Sequence, residues 1–346
     1  MTLGWIYNVI FGILYNIVIR RLQIIKLLFI LILLKLGDIV LNYGEVLTNN
    51  VNCPICKKPS LNENEKITIK DYLNISGVQD FIYTYCSCGV YFLINQPIPS
   101  EIAKIYPSEY QAYSRSASLV SKFKKWRLKS LVSPFIGKKD KTKILDYGCG
   151  SGEFIITCSE LKGTFCVGYD INPPNLNLKS NIVFTNKDNI LATYGKYDLI
   201  FSFQVIEHIF DPLKFLTFLE SLLSENGKLI IETPSSSGIL FSRYLRKFWG
   251  GWHAPRHFVI FERESLSQLC KKAGLSIESF SYVPSPFQWL ETIRPLLGRF
   301  GRQSKLLSLD NFLLVSAVYV LDLILILLRF KSSNMKLVLK KSETRS

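Results

Sequence analysis

The sequence predicts an α/β protein built on a doubly wound, mostly parallel sheet. Three observations carry this. From Lys141 onward, short apolar strands alternate with helical patterns. The first strand of that run, in "KILDYGCGSGEF" (Lys143 to Phe154), ends in three glycines at alternate positions, followed by an acid that opens a helix. A cluster of four cysteines and apolar stretches near both ends mark smaller parts placed around the sheet.

The chain has 346 residues, 48% of them hydrophobic, enough for one large domain and something smaller. Its net charge of +15 suits an anionic surface or ligand. The basic residues are spread out, apart from a run at Lys122–Lys129, and no nucleic-acid-binding motif accompanies them, so no nucleic-acid partner is expected.

Residues 1–45 come first. Leu3–Ile19 and Leu22–Leu36 are apolar runs split by Arg20 and Arg21, each short for a membrane span. The start lacks the basic residues and small-residue cleavage site of a signal peptide. Helices lying in a membrane interface fit this pattern, with a pair of soluble core helices as the alternative.

Residues 46–100 carry Cys53, Cys56, Cys86 and Cys88 in a C-x2-C…C-x-C pattern, among strand-like segments at Lys66–Lys70 and Val90–Ile94. Four thiolates on two knuckles suit tetrahedral zinc in a small ribbon-like module; four packed thiols are the alternative. Residues 101–140 read as a basic helical connector.

Residues 141–346 hold the sheet. Strands are expected at Lys143–Tyr147, Phe165–Tyr169, Asn181–Thr185, Tyr197–Phe203, Lys228–Glu232 and Ser276–Tyr282. Helices are expected at Glu153–Leu161, Asp211–Leu223 and Glu264–Ala273. Gly148, Gly150 and Gly152 let the backbone approach a ligand, and the helix start at Glu153 offers free N–H groups. Asp170 ends the second strand 22 residues after Gly148, where an acid accepts ribose hydroxyls. The G-x-G-x-G spacing differs from the dinucleotide G-x-G-x-x-G and suggests a ligand without pyrophosphate. Asp146 would hold a cationic amino group, so an adenosine joined to an amino acid satisfies these groups together.

At these residues the chain resembles a known family. "ILDYGCGSG" resembles the first motif of class I S-adenosylmethionine-dependent methyltransferases. "YDLIFSFQVIEHIFDPLKFL" resembles their fourth-strand segment, with the Glu-His pair of the branch that includes ubiquinone-biosynthesis O-methyltransferases. "NGKLIIETP" resembles the fifth strand, and "WHAPRHF" recurs in bacterial members of that branch. The four motifs cover about residues 140–290. The resemblance implies a seven-stranded Rossmann-like sheet and S-adenosylmethionine as cofactor. It places Gly148, Gly150 and Gly152 against the methionine part, Asp146 near its amino group and Asp170 on the ribose. Asp188, or Asn189, falls near the adenine, and Gln204 lines the cleft. Ribbons in the family usually have two residues between the second pair of cysteines; here there is one, and Lys57-Lys58 replaces the usual glycine.

The general base should titrate near neutrality. The chain's three histidines, His208, His253 and His257, all lie in the matched motifs. Each is a candidate for taking the acceptor's proton or placing the acceptor, against a loop-ordering role. Glu207 would orient His208 or cap the next helix; a Glu/His group could also bind a divalent ion.

Phe312–Leu328 looks like a membrane span, but Asp322 sits inside it, at a cost of about 2.5–3.5 kcal/mol at bilayer centre. "NMKLVLK" (Asn334–Lys340) resembles the family's last strand, which pairs antiparallel inside the sheet, so a single crossing would separate partners. The insert at about 295–330 is therefore expected to lie along a bilayer or fold back, or to form a lid over the acceptor site.

The expected activity is O-methylation of a sugar hydroxyl on a glycan or lipid-linked glycan, at the cytoplasmic membrane face with peripheral membrane contact. The alternatives are an isoprenoid quinone O-methyltransferase and a non-catalytic scaffold of the same fold.

Overall fold

A computed structural model describes residues 46–59, 66–71, 79–106, 128–136, 141–174, 180–185, 190, 195–241, 245–297, 307–308 and 311–343. The apolar runs of residues 1–45, most of the basic connector, Asp188 and Asn189 lie outside the described residues.

The cysteine module opens with β1 (Thr48–Asn50), β2 (Ile67–Lys70), β3 (Asp80–Cys86), β4 (Val90–Leu93) and β5 (Asn95–Pro97), then a single turn of helix, α1 (Ile102–Ile105). The central part begins with β6 (Thr142–Tyr147), α2 (Glu153–Ser159), β7 (Thr164–Tyr169), β8 (Ile182–Thr185) and β9 (Tyr197–Phe203). It continues through α3 (Pro212–Leu222), β10 (Leu223–Pro234), β11 (Val259–Phe261), α4 (Arg263–Lys272) and β12 (Leu275–Tyr282). The chain closes with α5 (Pro286–Leu296), α6 (Phe312–Leu327) and β13 (Asn334–Lys341).

Seven strands form one sheet in the order β12-β13-β10-β9-β6-β7-β8. Strands β10, β9, β6, β7 and β8 run parallel, and β13 is antiparallel to both its neighbours. The central strands are apolar along their length because both faces are covered: Ile144, Leu145, Ile200 and Phe201 are fully buried. The expected last strand is where the resemblance put it, with Leu337 opposite both Ile231 and Phe280.

Local chemistry sets the helix starts. Pro212 opens α3 while Asp211 accepts from the Lys214 N–H at 3.1 Å. Glu262 and Ser265 form a reciprocal capping box at the start of α4. One strand differs from expectation. Instead of starting at Lys228 after an Asn226-Gly227 turn, β10 begins at Leu223 and absorbs that dipeptide as a register shift between Leu223 and Lys228. At Gly227 a Cβ would stand 2.8 Å from the Tyr197 carbonyl oxygen, so the bulge needs glycine there.

The cysteine module is joined to the central part by hydrogen bonds. β11, from the "WHAPRHF" region, is the edge of a four-stranded sheet in the order β11-β4-β3-β2, with Val259 opposite Phe92. Arg256 and Asp71 form a fully buried ion pair at 3.1 Å across the same junction.

Among the described residues no helix is long and apolar enough to cross a membrane. Helix α6 has 16 residues, and only Val318 and Asp322 along it are buried. The Asp322 carboxylate accepts from the Ser285 N–H at 2.8 Å and the Ser332 hydroxyl at 2.9 Å, so it faces the protein.

Candidate active site

A cavity of about 1100 Å³ opens at the carboxyl ends of β6, β7, β9 and β10. The glycine turn after β6 forms one wall. Gly148 has φ +87°, and a Cβ there would lie 2.3 Å from Val205 Cγ2; no side chain fits. The Gly150 N–H donates to Asp170 Oδ2 at 2.8 Å, which ties the turn to the end of β7. Asp146, Gly148, Gly150, Asp170 and Gln204, all candidates from the sequence, line the cavity together. Gly152 differs. It lies under the ring of Phe184, where a Cβ would come within 2.5 Å of Cζ, and serves the packing of the turn rather than the cavity wall.

Burial, and then the neighbouring charge of Asp170, pushes the Asp146 carboxyl up to about 8. Asp170 is also raised, chiefly by burial. Two crowded acids beside a glycine turn favour a bound cation, and a ligand with an amino group and a ribose fits them.

On the far wall the three histidines meet. The His208 and His257 ring centres are 4.6 Å apart, and those of His253 and His257 5.0 Å. All three line the cavity. The His208 Nδ1 lies 2.9 Å from the Arg256 carbonyl oxygen, so Nδ1 carries the proton and donates, leaving Nε2 with its lone pair. His257 is set the same way by the Gly251 carbonyl oxygen, 2.8 Å from its Nδ1. Burial holds His208 down at about 4 and depresses His253 and His257 as well, so all three are neutral near pH 7.

Glu207 does not line the cavity. It is fully buried behind the histidines, accepts from the Thr233 hydroxyl at 2.8 Å, and is pushed up to about 8 by burial. Its Oε1 has no hydrogen-bond partner and lies 3.9 Å from His257 Nε2. Glu207 thus sits behind the histidines rather than on the cavity wall. Glu207, His208 and His257 also bring ligand-type atoms within 4.8 Å of one another, the arrangement a divalent ion needs.

Sequence reasoning missed two parts of the wall. Tyr106, just after α1, places its hydroxyl 2.8 Å from His208 Nδ1. Only the fold brings the start of the connector to this point, and no local pattern marks it. The second part is a polar floor. Asn334 Nδ2 donates to Glu232 Oε1 at 2.6 Å, and Gln204 Nε2 donates to Asn334 Oδ1 at 3.1 Å. Glu232 stands near the end of the matched strand motif "NGKLIIETP", and the carboxyl end of a parallel strand was the signal that could have found it.

The family described as "Methyltransferase domain" matches residues 121–280, the stretch that contains the glycine turn, Asp170 and the Glu-His pair. Residues 121–280 thus carry a methyltransferase domain of the S-adenosylmethionine-dependent kind. This methyltransferase is 29% identical over 184 residues to a "Ubiquinone biosynthesis O-methyltransferase" of Dinoroseobacter shibae, covering 47% of this chain and 71% of that protein. A protein of the same name from Cereibacter sphaeroides is 27% identical over 168 residues, covering 42% of this chain and 66% of its own. Of solved structures, a SAM-dependent methyltransferase from Archaeoglobus fulgidus matches with TM-score 0.41 and 19% identity, over 67% of this chain and 97% of that one.

Ahead of the matched stretch, the methyltransferase gathers Cys53, Cys56, Cys86 and Cys88 with their sulfurs within 4.8 Å of one another. Cys53 and Cys88 are 3.6 Å apart, Cys56 and Cys86 3.4 Å. Sulfurs at the corners of a zinc tetrahedron stand about 3.8 Å apart, so the single residue between Cys86 and Cys88 does not spoil the geometry. Gly89, with φ +85°, makes the second knuckle's tight turn. Burial pushes Cys53 up to about 11 and raises Cys88 as well, so these two thiols need a cation beside them to ionise.

Proposed function

We propose that this methyltransferase O-methylates a phenolic hydroxyl of an apolar small molecule, of the isoprenoid quinol type. The observation that carries this is the wall opposite the glycine turn: a neutral His208, its tautomer set by the Arg256 carbonyl, in a cavity lined by Phe210, Phe215, Phe258 and Phe287. A base held down at about 4 takes a proton more readily from a phenol, whose pKa is about 10, than from a less acidic sugar hydroxyl. The aromatic lining also suits a ring better than a glycan, and the name of the Dinoroseobacter relative points to the same acceptor class. These grounds favour the quinol over the glycan acceptor.

S-adenosylmethionine, when bound, supplies an electrophilic methyl on its sulfonium. Asp146 holds the cofactor's amino group, Asp170 the ribose, and the backbone of Gly148 and Gly150 admits it closely. His208 Nε2 accepts the acceptor's proton as the new C–O bond forms. Tyr106 and the Arg256 carbonyl hold His208 in place, and His257 and His253 shape the acceptor side. The four cysteines hold a structural zinc that folds the module.

The test is transfer of labelled methyl from S-adenosylmethionine to phenolic lipid, soluble sugar and lipid-linked glycan fractions. Label is expected in the phenolic fraction. His208→Ala should lower kcat by about 10²–10⁴-fold while leaving cofactor affinity within a factor of about two. Label in a sugar fraction alone, or a fully active His208→Ala, overturns the reading.

A further inference from the structure

Helix α6 leaves most of its surface uncovered. Leu313 is 79% exposed, Leu327 74% and Leu328 64%, with Val320, Leu321 and Ile324 about half exposed between them. From Phe312 to Leu328 the only ionisable groups are Tyr319 and Asp322, and Asp322 is turned inward onto Ser285 and Ser332. Such a helix, apolar nearly all round, belongs beside other apolar matter. It is not a lid: no residue of α6 lines the cavity, whereas Pro284 to Gln288, the turn that Asp322 clamps, do.

We propose that α6 is a bilayer-binding helix, lying in the interface of an anionic membrane with the mouth of the acceptor cavity beside it. Charge and geometry select this occupant. The apolar stretch ends at Arg329 and Lys331, both exposed, on a chain of net charge +15, which suits anionic headgroups. The face offers few of the hydrogen-bonding groups that a protein interface of this size carries. A crossing is ruled out by length and by topology. Sixteen residues span about 24 Å, short of the hydrocarbon core. The strands before and after, β12 and β13, pair in one sheet, so the chain returns to the side it left. An interfacial helix meets both conditions.

The proposal concerns where the cavity sits, and it stands whether or not His208 is the base. Its test uses the full chain and vesicles of phosphatidylcholine with and without phosphatidylglycerol, read by flotation and by hydrogen exchange over residues 312–328. Exchange there should slow when anionic vesicles are added. Leu321→Glu combined with Leu327→Glu should weaken vesicle binding at least about tenfold, with thermal stabilisation by S-adenosylmethionine unchanged as the control for folding. Because residues 1–45 are apolar as well, the exchange signal at 312–328 decides which segment meets lipid. No slowing there on vesicles overturns the proposal. So does exchange that is slow without lipid, whether it depends on protein concentration, which points to a second copy, or does not, which points to cover by another part of this chain. If the double variant loses its response to S-adenosylmethionine, the wild-type exchange result alone decides.

Discussion

Lys57 stands at φ +62°, in the left-handed region that glycine occupies without cost. The knuckle between Cys53 and Cys56 imposes this: the Lys57 N–H donates to the Cys53 carbonyl at 2.8 Å, and the turn closes only in that conformation. Among the described residues Lys57 pairs with Asp211 at 3.9 Å, a solvent-exposed contact that contributes little. Lys57→Gly should therefore stabilise the protein by about 1 kcal/mol, measured as a rise in the urea midpoint at constant slope. The residue scale is also where the sequence was most legible. Asp146, Gly148, Gly150 and Asp170 follow one another along a motif, and short-range geometry puts them on one wall. His208, His253 and His257 were identifiable as candidates but not as neighbours, since 45 residues separate the first from the second. Tyr106 carried no signal, because its role depends on a contact with His208, 102 residues further along the chain.

At the scale of elements, the segment from Gly250 to Phe261 links two sheets. Tyr83 on β3 donates its hydroxyl to the His257 carbonyl at 2.7 Å, and Arg256 Nε donates to the Ile105 carbonyl at 2.9 Å. The Arg256–Asp71 pair is fully buried, so its value lies in not being broken. Asp71→Ala would leave the guanidinium without its counter-charge and should cost about 3–5 kcal/mol, seen as a lower urea midpoint. The alternation of strands and helices was readable because parallel strands buried on both faces are short apolar runs. The joining of β11 to β4 was not, since three residues, Val259–Phe261, are too few to show a period. The start of β10 was missed for a related reason: Asn-Gly reads as a turn, and here it is a bulge.

For the whole molecule, the buried acids and histidines set opposing dependences on pH. Asp146 and Glu207 are raised to about 8 in the folded protein, above their ordinary values near 4. The folded state holds those protons more tightly, so their contribution is complete at low pH and is lost as pH rises towards and through 8. His208, held down at about 4, works the other way: its contribution is present above its ordinary value near 6.5 and is lost as pH falls through 4. Of these three groups only the acids act between 6.5 and 8, and through them the cofactor-free protein should lose thermal stability as pH rises across that window. A cationic amino group beside Asp146 favours the carboxylate, so saturating S-adenosylmethionine should flatten the slope, and its binding near pH 7 should release protons. Calorimetry in buffers of different ionisation enthalpy measures the release directly. A slope that is equally steep with and without the cofactor would remove Asp146 from the amino-group site.

The shared edge between β11 and β4 has a consequence for how the protein fails. Disturbance of the cysteine knuckles travels along β3 and β4 into the backbone that carries His253, Arg256 and His257, while the glycine turn hangs from β6 and β7 on a different sheet. Damage at the amino-terminal module should thus blunt recognition of the incoming molecule first, and leave the methyl donor's seat intact until the central strands themselves give way.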